Sequence, residues 1–298
     1  MNNYPKITIV TACFNHEKYV GETIESVLSQ GYPNLEYIVI NDGSTDGSER
    51  VIQKYADRLT FFETWEGYRK TVATALNRGF ERSTGEIMGW INSDDKLMPR
   101  SLFVIAEIFA QHANVEWITG VATTLNHQSN IVQVHPYRKN RYDYLAGNWS
   151  VIQQESTFFR RSLWEKAGGK LDDSYIQAFD SELWSRFFLH AEHYHVNTLL
   201  GAYRLIGQSR SIRAKDEFRM YTERALAVMR AAVAKKDLVI AKRAGWYRRA
   251  LRHLLKMLPN NVYFKLPIAK DYNYKMIEYN FLDDRWEIRE KNPFRPVY

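Results

Sequence analysis

Short apolar runs alternate with amphipathic stretches from Lys6 onward. Lys6–Cys13 is short and β-branched, which predicts a buried strand. A helix is predicted from about Glu17, because Val20, Ile24, Val27 and Leu28 fall on one face. Gly31-Tyr32-Pro33-Asn34 breaks it. Leu35–Ile40 predicts a second buried strand, and the turn Asn41-Asp42-Gly43-Ser44-Thr45-Asp46-Gly47 opens a helix with Val51, Ile52 and Tyr55 inward. Leu59–Glu63 predicts a weak strand. Thr71–Arg82 predicts a helix burying Val72, Leu76, Gly79 and Phe80. Glu86–Ile91 is the next apolar run, and it ends in Asn92-Ser93-Asp94-Asp95. Pro99 then starts a helix with Leu102, Ile105, Ala106 and Phe109 on its buried side. Val115–Ala122 predicts a further strand. Residues 123–151 show no clear period and read as loop-rich. From about Arg213 the pattern turns helical.

Strands alternating with crossover helices predict an α/β fold, a mostly parallel sheet with helices on both faces. Ligands of such sheets gather outside the carboxyl ends of the strands. Three polar clusters fall at those ends: Phe14-Asn15-His16, Asp42-Gly43-Ser44 and Asn92-Ser93-Asp94-Asp95. The adjacent carboxylates Asp94 and Asp95 repel each other unless a proton or a cation intervenes. A divalent metal shared with phosphate oxygens relieves that repulsion; a solvated turn capping the helix at Pro99 is the plainer alternative. Asp42 fits a turn beside the Asp46/Glu49 helix cap, or a nucleoside contact. Asp180 opens a helix whose Leu183, Trp184, Phe187 and Phe188 point inward. It reads as an N-cap or as a general base.

The 298-residue chain has 45% hydrophobic and 25% charged residues, an ordinary globular composition that excludes disorder and collagen-like repeats. One cysteine, Cys13, excludes an internal disulfide and fits a reducing compartment. No apolar run approaches the ~18–20 residues that span a bilayer, and the early first strand leaves no room for a signal peptide. The expected location is therefore the cytoplasm. The net charge of +7 is unevenly placed: 213–258 carries thirteen Lys and Arg against four acids. A basic segment on a near-neutral body points to an anionic surface partner rather than a nucleic-acid coat. Phe218, Tyr221, Ala225, Val228, Met229 and Ala232 share one helical face. Tyr247, Leu251, Leu254, Leu255 and Leu258 form an apolar stripe beside a basic stripe of Arg248, Arg249, Arg252 and Lys256. That pattern suits a helix lying on anionic lipid, or one packed on the main domain with a solvated face.

In order and spacing, the motifs resemble the inverting GT-A glycosyltransferases of glycosyltransferase family 2. The resemblance runs through Ile7–Asn15, Ile38–Gly47, Asn77–Phe80, Gly85–Asp95, Gln153–Arg161 and Asp180–Trp184, roughly residues 6–212. It implies a GT-A (Rossmann-like) catalytic domain over 1–212 and a basic, mainly helical extension over 213–298. It implies an enzyme moving a sugar from a nucleotide-diphosphate donor to an acceptor hydroxyl. Thr11, Phe14, Asn15, Asp42, Arg69 (or Lys70) and Asp94 would serve the donor nucleotide. Asp95, with Asp94, would hold Mn2+ or Mg2+, and Asp180 would be the catalytic base. Gln154, Glu155 and Trp184 would lie on the acceptor side.

Asn41, Asn92 and Phe179 stand where the family often has acids. The histidine that often follows the late Tyr-Arg-Leu strand is absent after Tyr203-Arg204-Leu205, so Ser209, Arg210 or Arg213 would neutralise the diphosphate. A UDP-sugar donor and a saccharide or lipid-linked saccharide acceptor are the implied partners, in bacterial polysaccharide, O-antigen or glycolipid assembly. Peripheral attachment to an anionic membrane on the cytoplasmic face would run through 213–258, and no nucleic acid is expected. Trp149 and Trp164 are further candidates for sugar stacking or core. His193 and His195 fit a strand, with a structural or metal role. A non-catalytic nucleotide or carbohydrate binder is the alternative. A sugar-phosphate nucleotidylyltransferase is disfavoured, because the loop Thr11–His16 lacks the glycines that cradle a triphosphate.

Overall fold

The computed structural model describes residues 4–65, 67, 71–148, 152–206 and 215–292. The first strand, β1 (Ile7–Cys13), lies inside a nine-stranded sheet. It pairs in parallel with β2 (Leu35–Asn41) on one side and β4 (Ile87–Trp90) on the other; β3 (Phe61–Thr64) extends the sheet beyond β2. Every residue of β1 but Ala12 is buried, because both faces of the strand are covered. Ile7 and Ile9 meet α1 (Val20–Leu28) and α4 (Ser101–Gln111) in one core. Val10 turns to the opposite core, with α3 (Val72–Glu81) and α7 (Phe179–His190). Between these helices lie the short α2 (Ser48–Gln53), α5 (Arg141–Leu145) and α6 (Arg161–Lys166).

The far half of the sheet is mixed. β9 (Thr157–Arg160) runs antiparallel between β4 and β6 (Trp117–Thr119), and β10 (Tyr194–Val196) pairs in parallel with β6. A smaller sheet in the order β5, β11, β7, β8 joins Lys96–Leu97, Gly201–Arg204, Ala122–Leu125 and Ile131–His135. The loop-rich reading of 123–151 therefore gives way to two strands and a helix. Asn140 starts α5 with a reciprocal capping box: its side chain accepts from the Tyr142 and Asp143 amides, and Asp143 accepts from Asn140 N–H. His193 and His195, on and beside β10, hold the preceding Lys139. His193 donates to the Lys139 carbonyl at 3.1 Å, and His195 Nε2 accepts the Lys139 amide at 2.8 Å. Burial keeps both rings neutral and pushes His195 down to about 3, so their role is structural.

The end of the chain holds α8 (Lys215–Ala232) and α9 (Lys235–Ala250), then three short helices, Arg252–Met257, Asn260–Tyr263 and Pro267–Asp271. The apolar stripe read in 247–258 is largely spent on internal packing. Tyr247, Leu251, Leu255 and Leu258 cluster with Ala244, Tyr263 and Tyr272, and only Leu254 stays exposed. On α8, Ala225 and Met229 are buried while Val228 faces solvent.

A hairpin unseen in the sequence pattern follows. β12 (Tyr274–Asn280) pairs in parallel with β10, and β13 (Arg285–Lys291) closes the sheet edge. Trp286 of β13 is 7% exposed and packs in the same core as Ile7. Its indole donates to Glu107 at 3.1 Å and its amide to Gln111 at 2.9 Å, both on α4. Removing that ring leaves a core cavity, which typically costs about 3–5 kcal/mol. Trp286→Ala should therefore shift a single cooperative denaturant transition by about that amount. A separate, earlier unfolding step for the hairpin would show that it is not part of the main core.

Candidate active site

The carboxyl ends of β1, β2 and β4 converge on one polar surface. β1 runs into Phe14, which is half-buried, and Asn15, which is exposed with φ 55°. Asn15 is one of the few residues other than glycine that tolerate this left-handed backbone. Its Oδ1 accepts the Thr45 amide at 2.8 Å and its own amide donates to Ser44 at 3.0 Å, so it latches the Asp42–Asp46 turn. Asp42 is buried, its amide donates to the Cys13 carbonyl at 2.8 Å, and Arg78 of α3 stands 4.0 Å from its carboxylate. Thr11 lies deeper, fully buried, with its hydroxyl on Tyr37.

From β4 the chain turns through Asn92-Ser93-Asp94-Asp95, and the Asp95 amide closes onto the Asn92 carbonyl at 3.0 Å. Asp94 keeps 12% of its side chain exposed and faces His16 Nδ1 at 3.8 Å. His16 also bonds Ser93 Oγ at 2.7 Å, which ties the β1 loop to the β4 loop. Asp95 is fully buried. Its Oδ1 accepts the Arg204 amide at 2.8 Å and its Oδ2 accepts the Asn92 amide group at 3.1 Å. Arg204, itself fully buried on β11, donates Nε to the Asp94 carbonyl at 2.6 Å. Its other nitrogens donate to Ser129 at 2.8 Å and to Glu22 at 3.1 Å.

Two further acids join this pair. Glu155 sits on the 3-10 turn Gln154–Ser156, accepts Gln154 Nε2 at 2.6 Å and hydrogen-bonds the Asp95 carboxyl. The turn lies so close to β11 that a Cβ on Gly201 would stand 1.9 Å from the Glu155 carbonyl oxygen. Only glycine fits that approach. Asp180 opens α7 just after Ala178, whose φ of 60° is a strained value for alanine. Its Oδ1 accepts the Ser181 amide at 2.8 Å, and part of its surface stays open.

Burial sets the titration of all four. It raises Asp94, with His16 and Arg204 pulling back, and raises Asp95 strongly, with the charges of Glu155 and Asp94 adding to it. It pushes Glu155 up to about 7, the Asp180 charge contributing, and Asp180 up to about 6. Asp94, Asp95, Glu155 and Asp180 thus form one electrostatically linked row.

Such a row of hard oxygen donors suits Mg2+ or Mn2+ better than a softer ion. Gln154 Oε1, buried and without a hydrogen-bond partner among the described residues, adds an unsatisfied oxygen to the same region. Among the described residues, no group of three His, Cys, Asp or Glu side chains is arranged to hold a metal ion alone. A divalent cation held by these acids would complete its shell from a ligand such as a diphosphate.

Trp184 is not brought to this surface. Trp90 and Trp117 stack on it at 5.5 and 5.6 Å, and it is fully buried, so neither ring face is open to a sugar. Trp164 is likewise packed, against Phe80 and Phe159. Arg69, Lys70, Trp149, Ser209, Arg210 and Arg213 lie outside the described residues. Sequence alone assigns no role to His16, Arg78 or Arg204. His16 stood inside the first polar cluster, whereas Arg204 in Tyr-Arg-Leu gave no local sign of its long-range partners.

Comparison with known proteins bears on the family and the fold. The sequence profile described as "Glycosyl transferase family 2" matches residues 8–168. An uncharacterised glycosyltransferase of Rickettsia typhi is 30% identical over 193 residues, which are 62% of this chain and 60% of that protein. The chain thus aligns with less than two thirds of that relative. S. aureus TarS 1–349 in complex with UDP-GlcNAc superposes with a TM-score of 0.66 at 15% identity, over 86% of this chain and 77% of that one. The Pyrobaculum calidifontis mannosyltransferase in complex with GDP-Man and Mn2+ gives 0.53 at 15% identity, over 85% and 83%. At that identity the two structures speak for the fold, a GT-A arrangement.

Gly201→Ala should push the Glu155 turn away from β11. The expected result is a lower melting temperature and a loss of the thermal shift given by Mn2+ with a nucleoside diphosphate. Gly245→Ala, where a Cβ meets nothing within 4 Å, should leave both readings intact.

Proposed function

The chain belongs to glycosyltransferase family 2, and from that membership we propose a metal-dependent, inverting transfer of a sugar from a nucleotide-diphosphate donor to an acceptor hydroxyl. The observation that carries this reading is the linked row of carboxylates at the carboxyl ends of the sheet. One end of the row, Asp94 and Asp95, is the better place for a cation. The other end, Asp180, is the better place for a base.

Asp42, beside Arg78 and below the Asn15 latch, accepts hydrogen bonds from the nucleoside. Phe14, Asn15 and Thr11, at the carboxyl end of β1, would serve the same nucleoside. Asp94 and Asp95 would hold Mn2+ or Mg2+. A divalent cation bound there supplies charge neutralisation for the departing diphosphate. Arg204 keeps the two acids in register through the Asp94 carbonyl and the Asp95 carboxylate. Asp180 takes the proton from the acceptor hydroxyl as that oxygen attacks the anomeric carbon. One base and one displacement invert that carbon. Gln154 and Glu155, between the two ends, face the acceptor side.

A UDP-sugar is the proposed donor, supported by the UDP-GlcNAc complex of S. aureus TarS. The proposed acceptor is a saccharide or lipid-linked saccharide in bacterial polysaccharide, O-antigen or glycolipid assembly. The proposed location is cytoplasmic, with peripheral attachment to an anionic membrane through 213–258. Among the described residues, no helix is long and apolar enough to cross a membrane.

Asp180→Asn should keep the donor-dependent thermal shift and lower transfer by roughly 10²–10⁴-fold, as loss of general-base help does. Transfer at the unchanged rate would remove Asp180 from the chemistry and favour another base. Complete absence of transfer or donor hydrolysis by the parent protein, across UDP-, GDP-, CDP- and dTDP-sugars with Mn2+, would favour the non-catalytic binder instead. Asp180 must be ionised to accept a proton. With its carboxyl pushed up to about 6, kcat/KM should rise with pH through that value and level off above it. Chelation with EDTA should abolish transfer, and added Mn2+ should restore it.

A further inference from the structure

Within the basic segment, α9 presents an exposed mixed face that differs from the stripe the sequence suggests. Among the described side chains of α9, the exposed ones are Lys235, Lys236, Val239, Lys242, Arg243, Trp246 and Ala250. Their spacing of three and four residues puts them on a single face. Val239 and Trp246, 48% and 53% exposed, lie along its middle, and the four cations flank them. The opposite face is the packed one. Asp237, Ala241 and Ala244 are buried there, and Asp237 is held by Arg141 at 3.7 Å and by the Tyr142 hydroxyl at 3.4 Å. Asp237 is the only acid of the helix, so its charge is turned inward and the outer face carries cations alone.

We propose that this face of α9 is the docking surface for an anionic phospholipid membrane, with Trp246 and Val239 entering the interface and the four cations meeting the headgroups. A tryptophan with one wet edge and one apolar body suits the depth of the headgroups. Lysine and arginine stems lie along apolar surface while their charges stay with phosphate. Each cation near such a surface strengthens binding roughly severalfold. The most exposed apolar side chains among the described residues, Phe281 and Leu282 at the tip of the β12–β13 hairpin, adjoin Asp283 and Asp284, which an anionic surface repels. This inference refines the membrane attachment proposed above. It is read out without any transfer reaction, so it stands or falls separately from the catalytic assignment.

The test is sedimentation of the full chain with phosphatidylcholine vesicles and with vesicles that also contain phosphatidylglycerol. The parent protein should sediment only with the anionic vesicles, and added salt should release it. Trp246→Ala and the double variant Lys242→Glu/Arg243→Glu should each weaken binding at least about tenfold while keeping the parent melting temperature. Phe281→Ala should bind like the parent. Failure to bind anionic vesicles, equal binding to both vesicle types, or unchanged binding by the α9 variants would overturn the proposal. So would a preference for RNA or for self-association that the α9 variants abolish while vesicles are ignored.

Discussion

A buried guanidinium holds the acidic centre of this protein together. Arg204 is out of reach of solvent, and an unpaired charge there would be strongly destabilising. It is instead paired on every side. It bonds the Asp94 carbonyl, Ser129 in the loop between β7 and β8, and Glu22 on α1, while Tyr19 lies across its face at 5.0 Å. Its own amide fixes Asp95. Three distant chain segments are thereby registered against the turn that carries both acids. A lysine has no planar fork with which to repeat those contacts.

Carboxylates crowded at low exposure are unstable as a set of four free anions. The site tolerates them by graded means. Asp94 has His16 beside it and some solvent, Asp95 has two donors, Glu155 shares a hydrogen bond with Asp95, and Asp180 has a helix amide. The gradient matters chemically. Asp95, strongly raised and shut off from solvent, favours positive charge nearby, while Asp180, partly open, can exchange protons. The close approach of β11 to the Glu155 turn, possible only at Gly201, keeps the middle of the row from spreading.

Much of this was legible in the sequence. The first half of the sheet was, because β1, β2 and β4 are buried on both faces and so read as unbroken apolar runs. Helices α1, α3 and α4 showed a clear buried stripe. Asp42, Asp94 and Asp95 announced themselves by lying at strand ends. What stayed hidden depends on partners far along the chain. β13 reads Arg-Trp-Glu-Ile-Arg-Glu-Lys, charged as edge strands are, and only its pairing with β12 reveals it. Trp184 offered a ring suited to a sugar, but Trp90 and Trp117 occupy both of its faces. The stripe Tyr247, Leu251, Leu255 and Leu258 had the right period for an interface, and a local core takes it up. Arg204 gave no sign of its role, since its partners lie as far as 182 residues away.

The parallel pairing of β12 with β10 bears on how the chain is made. Strand β10 has β6 on one side, but its other edge is filled only by residues near the end of the sequence. On a ribosome, that edge and the α4 surface beneath Trp286 would wait, uncovered, while β11 and the helices that follow it were synthesised. Nascent chains in that state expose an open backbone edge to their neighbours.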